Sequence, residues 1–389
     1  MSVTSAKGFR AAGIAAGIKD SGAVSNEKRA DLALVVNDGP ATAAAGVFTS
    51  NRVKAAPVVW SEQVLKGGTV KAVVLNSGGA NACTGPAGFQ DTHKTAEESA
   101  ALLGASAAEI AVCSTGLIGV RLPMDALLSG LKTAADALAA DGGPAAATAI
   151  MTTDTVAKTA EAHGTGYIVG GMAKGAGMLA PGLATMLVVI TTDAVADAAV
   201  LDTVLRAATK VTFDRVDSDG CMSTNDTVLL LASGASETVP DPAEFQAAVT
   251  SVCANLARQL VGDAEGATKD IAVEVVRAAT EDEAVQVAKA VTRSNLFKCA
   301  MYGNDPNWGR VLSAVGTTDA AFEPDQLSVA INGVWVCRDG GVGEDRDLVD
   351  LTGREVTVTV DLAAGTSGAT VWTNDLTPGY VHENSAYSS

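Results

Sequence analysis

Apolar and polar positions divide the chain into short β-rich runs and longer amphipathic ones. β-Branched and apolar runs predict strands over 32–36, 70–75, 110–113, 186–190, 228–231, 271–276 and 356–360. Ala- and Leu-rich runs predict helices over 92–103, 124–138, 194–212, 242–261 and 281–291. Thr280 followed by Glu283 has the form of a capping box for the last of these helices. Asp305 before Pro306 has the form of an N-cap with proline at N1. The mixture predicts an α+β or α/β fold. Its strands come in irregular order with many glycines between them, and no internal repeat of fixed period is visible.

Size and charge narrow the class. At 389 residues the chain exceeds one typical compact core, so two domains or two large halves are expected. Hydrophobic residues make up 48% and charged residues 18%, an ordinary globular balance that argues against general disorder. Lys plus Arg is 27 against 44 Asp plus Glu, a formal net charge of −17. Such a surface repels phosphate backbones and anionic lipid, so no nucleic-acid or membrane partner is expected. The apolar stretch between Arg10 and Lys19 is short and glycine-broken, a poor signal peptide. No segment approaches the ~20 apolar residues of a membrane span. Six well-separated cysteines without a C-x-x-C pair read as reduced thiols, and the expectation is a soluble, cytoplasmic protein.

The obvious chemistries fit poorly. Three histidines without metal-type spacing argue against a zinc site and against a Ser-His-Asp triad. The glycine-rich stretch 164–177 lacks the spacing of a dinucleotide fingerprint or a P-loop. Asp217, Asp219 and Asp226 invite a Ca²⁺ or Mg²⁺ reading, but no EF-hand glutamate follows; the block reads as a structural turn, with no metal. The most unusual segment runs from Ala173 to Ile190, where a Gly/Pro loop enters a strongly apolar strand with Thr185 at the junction. By pattern alone Thr185 is a β-branched residue opening a buried strand. The other reading is chemical: a threonine that becomes an N-terminus carries its own general base, because its α-amine can accept the hydroxyl proton. That chemistry needs no histidine, but it does need the Ala184–Thr185 bond cut.

At this point a resemblance is specific. Residues 174–187, K-G-A-G-M-L-A-P-G-L-A-T-M-L, closely resemble the autoprocessing site of the ornithine acetyltransferase family, also called glutamate N-acetyltransferase. Asn76-Ser-Gly-Gly-Ala-Asn-Ala82 resembles the family's N-S-G-N-A-N-A, with Gly79 in place of the usual Asn. Blocks 113–119, 150–155, 217–226, 264–269, 303–310 and the tail 383–389 look like further family blocks in the same order, so the resemblance covers essentially the whole chain. It implies a DmpA/ArgJ-like N-terminal-nucleophile architecture of the α+β class, an α/β sandwich in which helices flank sheets, with a smaller C-terminal domain. It further implies self-cleavage at Ala184–Thr185 into an α fragment, 1–184, and a β fragment, 185–389, assembled as a heterotetramer of two of each.

The implied reaction is a ping-pong acetyl transfer from N-acetylornithine to glutamate through acetyl-Thr185, serving arginine biosynthesis. Some family members also use acetyl-CoA, which stands as an optional second acetyl donor; no other cofactor is implied. Residue by residue, Thr185 matches the nucleophile, and Thr115 with Gly116 the oxyanion-hole pair. Thr152, Lys174, Thr185, Glu265, Asn384 and Ser389 match substrate-binding positions. Each has a plainer reading: a strand-ending turn for Thr115-Gly116, a solvated loop lysine, a surface acid and a frayed terminus. Two other functions stand beside this one. An N-terminal-nucleophile aminopeptidase or amidase of related fold would use water as acceptor, and a non-catalytic scaffold would leave Thr185 a strand residue.

Overall fold

The computed structural model describes residues 2–19, 29–179 and 186–386, which form two compact units. The first contains residues 2–176, 186–214 and 222–260; the second contains 177–179, 215–221 and 261–386.

The first unit runs β1 (Phe9–Ile14), β2 (Leu32–Asn37), β3 (Ala43–Phe48), α1 (Ala56–Leu65), β4 (Ala72–Ser77), α2 (Gly85–Leu103), β5 (Ile110–Thr115), α3 (Met124–Asp136), α4 (Gly143–Ala149), β6 (Lys158–Gly164), β7 (Tyr167–Lys174), β8 (Leu187–Thr192), α5 (Ala198–Val211), β9 (Thr227–Ala232) and α6 (Pro242–Gly262). One sheet has the order β1-β2-β4-β5, the other β3-β9-β8-β7-β6. Strand periodicity of two explains the layering. Ala33, Val35, Val73, Leu75, Ala111 and Cys113 point into a core shared with Met172, Leu187, Val189, Leu229 and Leu231 of the second sheet. The alternate residues Leu32, Leu34, Val36, Val74, Ile110 and Val112 point the other way, onto Ala96 and Ala100 of α2 and Leu127 and Leu131 of α3. On the second sheet, Val252 and Leu256 of α6 close over Gly171 of β7. The result is two sheets packed face to face with helices outside, the α+β sandwich expected.

Strand register sets which residues meet at one end of each sheet. β4 and β5 are parallel, and their register sets Asn76 beside Ser114 and Ser77 beside Thr115. β8 pairs antiparallel with β7, Lys174 opposite Leu187, and parallel with β9, Leu187 opposite Thr227.

The second unit contains β10 (Asp270–Ala278), α7 (Glu281–Thr292), α8 (Asn295–Tyr302), α9 (Trp308–Val315), β11 (Ser328–Ile331), β12 (Val334–Arg338), β13 (Gly341–Val342), β14 (Glu355–Asp361), β15 (Ser367–Asn374) and α10 (Pro378–Ala386). Its sheet order is β13-β12-β11-β14-β10-β15. Ile271, Val273 and Val275 of β10 and Val356, Val358 and Val360 of β14 bury the same face against Ala284, Val287, Ala288 and Val291 of α7.

The expected strands and helices all appear, most with ends shifted by a few residues and α2 beginning at Gly85 instead of Thr92, but several elements were not anticipated. β7 reads Y-I-V-G-G-M-A-K and looks like a loop; its glycines are needed because a side chain at Gly170 would strike the Ser2 carbonyl, and one at Gly171 would meet Val252 at 3.0 Å. Two caps also differ from expectation. Thr280 caps α7 by accepting from Glu283 N–H, while the Glu283 carboxylate accepts from Ala321 N–H instead of closing a box. Asn307, not Asp305, caps α9, because the helix starts at Trp308.

Candidate active site

Thr115 ends β5 and is buried. A side-chain network holds its turn rigid. Ser114 Oγ donates to Asn76 Oδ1 at 2.5 Å, and Asn76 Nδ2 donates to the Gly79 carbonyl at 3.1 Å. Asn225 Nδ2 donates to the carbonyls of Ala80 (2.6 Å) and Ser114 (2.8 Å). Gly78 and Gly79 N–H both donate to the Thr115 carbonyl, at 2.9 and 3.0 Å. Gly116 follows at φ +133°, where a Cβ would lie 2.5 Å from Gly79 N; only glycine fits. A hydroxyl and a backbone N–H fixed on adjacent residues form a suitable donor pair for a developing oxyanion. The thiol two residues earlier, Cys113, is pushed up to about 12 by burial and is no competitor as nucleophile. At Gly79, the space a side chain would need is taken by Leu122, whose Cδ2 is 2.7 Å from the Cβ position.

Lys174 ends β7 with 2% of its side chain exposed, so it is no solvated loop lysine. Its Nζ donates to Thr115 Oγ1 at 3.3 Å and lies 3.9 Å from Asp154 Oδ2. Asp154 is the hub that sequence reasoning left without a role. Its carboxylate accepts from Lys158 Nζ at 2.7 Å, Gly175 N–H at 2.6 Å and Thr152 N–H at 2.9 Å. Both Asp154 and Lys158 have fully buried side chains. Burial works to raise the Asp154 pKa, but Lys174, Lys158 and the backbone donors outweigh it and hold the carboxyl at about 2. Through Asp154, the Thr152 turn and the end of β7 become one assembly. Asp154 lies inside the M-T-T-D-T block, but its partnership with Lys158 spans no helix turn, so no periodicity announces it.

Asp226 precedes β9, and its Oδ1 accepts from Met186 N–H at 3.1 Å, the amide that follows Thr185 in sequence. Its Oδ2 is buried with no hydrogen-bond partner among the described residues. Burial raises its pKa well above the usual carboxylate range. Ala184 and Thr185 themselves lie outside the described residues, as does Ser389.

The second unit brings two further expected residues together. Asn384 of α10 donates from Nδ2 to Glu265 Oε2 at 2.9 Å. The Glu265 turn is packed beneath the first turn of α10: Thr377 Oγ1 donates to the Gly266 carbonyl at 2.6 Å, and a side chain at Gly266 would strike the Tyr380 backbone. A side chain at Gly177 would strike the Glu265 carboxylate, which accounts for glycine in that block. Tyr380 is pushed up to about 12 by burial, then by Asp219 and Glu265. The tail therefore continues as a helix through Ala386.

The acidic block 217–226 carries structural bonds. Asp217 accepts from Arg293 Nε at 2.7 Å, and Ser218 N–H donates to the Leu179 carbonyl at 2.5 Å. Among the described residues no cluster of three His, Cys, Asp or Glu could hold a metal, and no helix is long and apolar enough to cross a membrane.

Comparisons with known proteins find relatives that span the whole chain. The sequence pattern of the ArgJ family matches residues 10–389. The arginine biosynthesis bifunctional protein ArgJ of Streptomyces coelicolor is 71% identical over 389 residues, covering all of both chains. The protein of that name from Thermobifida fusca is 66% identical, again over all of both chains. Among solved structures, an ornithine acetyltransferase from Mycobacterium tuberculosis complexed with ornithine is 53% identical with a TM-score of 0.42, covering 48% of this chain and 96% of that one. The Bacillus halodurans ArgJ structure is 37% identical with a TM-score of 0.49, covering 51% and 97%.

Proposed function

The chain belongs to the ArgJ family, and from that premise we propose that it transfers the acetyl group of N2-acetyl-L-ornithine to L-glutamate, giving L-ornithine and N-acetyl-L-glutamate in arginine biosynthesis. The observation that carries the reading is the convergence of Thr115, Gly116 and the buried ammonium of Lys174 at neighbouring strand ends.

Self-cleavage comes first. The Thr185 hydroxyl attacks the Ala184 carbonyl, the Oγ proton passes to the departing Thr185 nitrogen, and water hydrolyses the resulting ester. This leaves fragments 1–184 and 185–389 with a free α-amine on Thr185. That amine, with a reference pKa of about 7.7–8.0, is neutral in a useful fraction near pH 7 and takes the hydroxyl proton. Thr185 Oγ then attacks the acetyl carbonyl of N-acetylornithine. The oxyanion is held by Thr115 Oγ1–H and Gly116 N–H, with the Lys174 charge behind Thr115. Ornithine leaves with the proton, and glutamate removes the acetyl group by the reverse sequence.

Thr152, Lys174, Glu265, Asn384 and Ser389 bind substrate in this scheme. Lys174 suits the α-carboxylate common to both substrates, because a cation offsets the cost of burying it. Glu265 suits the ornithine ammonium. Acetyl-CoA stands as an optional second acetyl donor, and we propose that the α and β fragments assemble as a heterotetramer of two of each. A chain with free cysteines at all six positions suits the cytoplasm.

Intact-mass spectrometry with N-acetylornithine as sole substrate tests the scheme: fragment 185–389 should gain one acetyl group, and added glutamate should remove it. Initial-rate plots at varied N-acetylornithine and glutamate should be parallel. Intersecting lines, or rapid loss of the acetyl group to water without glutamate, would refute the transferase reading, the latter in favour of an amidase.

A further inference from the structure

We propose that Lys19 is a substrate-binding residue of the same site, reading the α-carboxylate of the amino-acid substrate alongside Lys174; this rests on the acetyl-transfer reading above.

The turn that carries Lys19 is built with unusual rigidity. The buried Asp31 carboxylate accepts four consecutive backbone N–H groups: Ala16 at 2.6 Å, Gly17 at 3.1 Å, Ile18 at 2.6 Å and Lys19 at 3.1 Å. Asp31 is in turn tied to the site, since its carbonyl accepts from Ser77 N–H at 2.9 Å, next to the Gly78 that donates to Thr115. The stem of Lys19 lies on that glycine. A Cβ at Gly78 would be 3.2 Å from Lys19 Cγ, and Gly78 has φ +118°. The stem thus passes over the turn that fixes the oxyanion donors.

The ammonium ends at the other half of the assembly. Nζ donates to the carbonyls of Ala30 at 2.9 Å and Met151 at 2.8 Å, the latter adjoining Thr152. An ammonium has three N–H donors, and the third has no partner among the described residues. Lys19 also feels the charges of Lys174 and Asp154, and its pKa is lowered by burial despite Asp31. Among the described residues, four cations, Lys19, Arg29, Lys158 and Lys174, surround the Asp31 and Asp154 carboxylates. Asp226, whose carboxyl burial pushes towards the neutral form, is the third acid acting on Lys174, so the excess among these residues is positive in a chain whose formal net charge is −17. A partly buried cation with a spare donor, fixed between the Thr115 and Thr152 turns, calls for an anion. Among the groups of these substrates, the α-carboxylate is the anion that donor and acceptor share.

Lys19→Met keeps the stem and removes the charge. The assay compares kcat and KM for N-acetylornithine and for its α-carboxamide, in the self-cleaved full chain. The parent should prefer the carboxylate. Lys19→Met should lower kcat/KM for the carboxylate donor about tenfold to a hundredfold, mainly through KM, the range of one charge-assisted hydrogen bond. The carboxamide donor should be nearly unaffected. Equal losses on both donors, or none on either, would overturn the proposal and leave Lys19 a tether between two loops. Should Lys19→Met not fold, Lys19→Arg displaces the charge and gives the same comparison: a carboxylate-selective rise in KM supports the assignment, an equal one refutes it. A parent chain that moves no acetyl group from N-acetylornithine fails the functional reading itself, before any variant is compared.

Discussion

Asp154→Asn is the sharpest test of how the site is held together. The change keeps shape but only one acceptor oxygen, so Thr152 N–H and Gly175 N–H, which use different carboxylate oxygens, cannot both keep their bond, and the buried ammonium groups of Lys158 and Lys174 lose the Asp154 charge. A carboxyl held at about 2 instead of 3.8 corresponds to about 2 kcal/mol at ~1.36 kcal/mol per pH unit. Removing one partner of a buried pair typically costs about 3–5 kcal/mol. The expected loss at pH 7 is therefore about 2–5 kcal/mol, a drop of roughly 3–10 °C in melting temperature. The pH dependence has a fixed sign. Because the folded-state pKa is depressed, the stabilisation is full above the unfolded value near 4 and fades as pH falls towards 2. Urea unfolding of parent and variant at pH 7, 5, 4 and 3 should show a constant gap down to about pH 5 that narrows below it. Adding Lys158→Met removes the other partner and should recover part of the loss. A gap under about 1 kcal/mol at pH 7, which is less than half the smallest loss expected from the buried pair, would refute the reasoning.

Three further outcomes test the proposed function. Thr185→Ala should remain a single uncut chain by intact mass, and a fully processed variant would end the self-cleavage proposal. Thr115→Ala should cut and fold normally yet lose about 10²–10³ in kcat, roughly 2.7–4 kcal/mol for one oxyanion donor; unchanged kcat/KM in steady-state assays would remove Thr115 from that role. Ending the chain before Asn384 removes the amide that donates to Glu265. KM for both N-acetylornithine and glutamate should rise while self-cleavage persists, and normal KM values would take the tail out of the binding role.

Much of the architecture was legible in the chain. Val273, Val275, Val356 and Val358 alternate in sequence and share one buried face, because strand period leaves a half-buried sheet no other choice. The helices at 124–136 and 281–292 follow from the spacing of their apolar residues. The family blocks pointed to Thr115, Gly116, Lys174, Glu265 and Asn384, and short-range chemistry explains part of that: Gly116 stands where no Cβ fits. The glycine-rich β7 was not legible, since its glycines answer to residues 2 and 252, far away in sequence. Nor was the burial of Lys174. A lysine is solvated by default, and only the fold supplies Asp154 across a turn to make a buried ammonium affordable. Lys19 and Asp226 belong to the same class. Composition and spacing name the groups a chain has to work with, but desolvation and charge pairing depend on distances of a few ångströms between residues remote in sequence, and those distances only the tertiary structure decides.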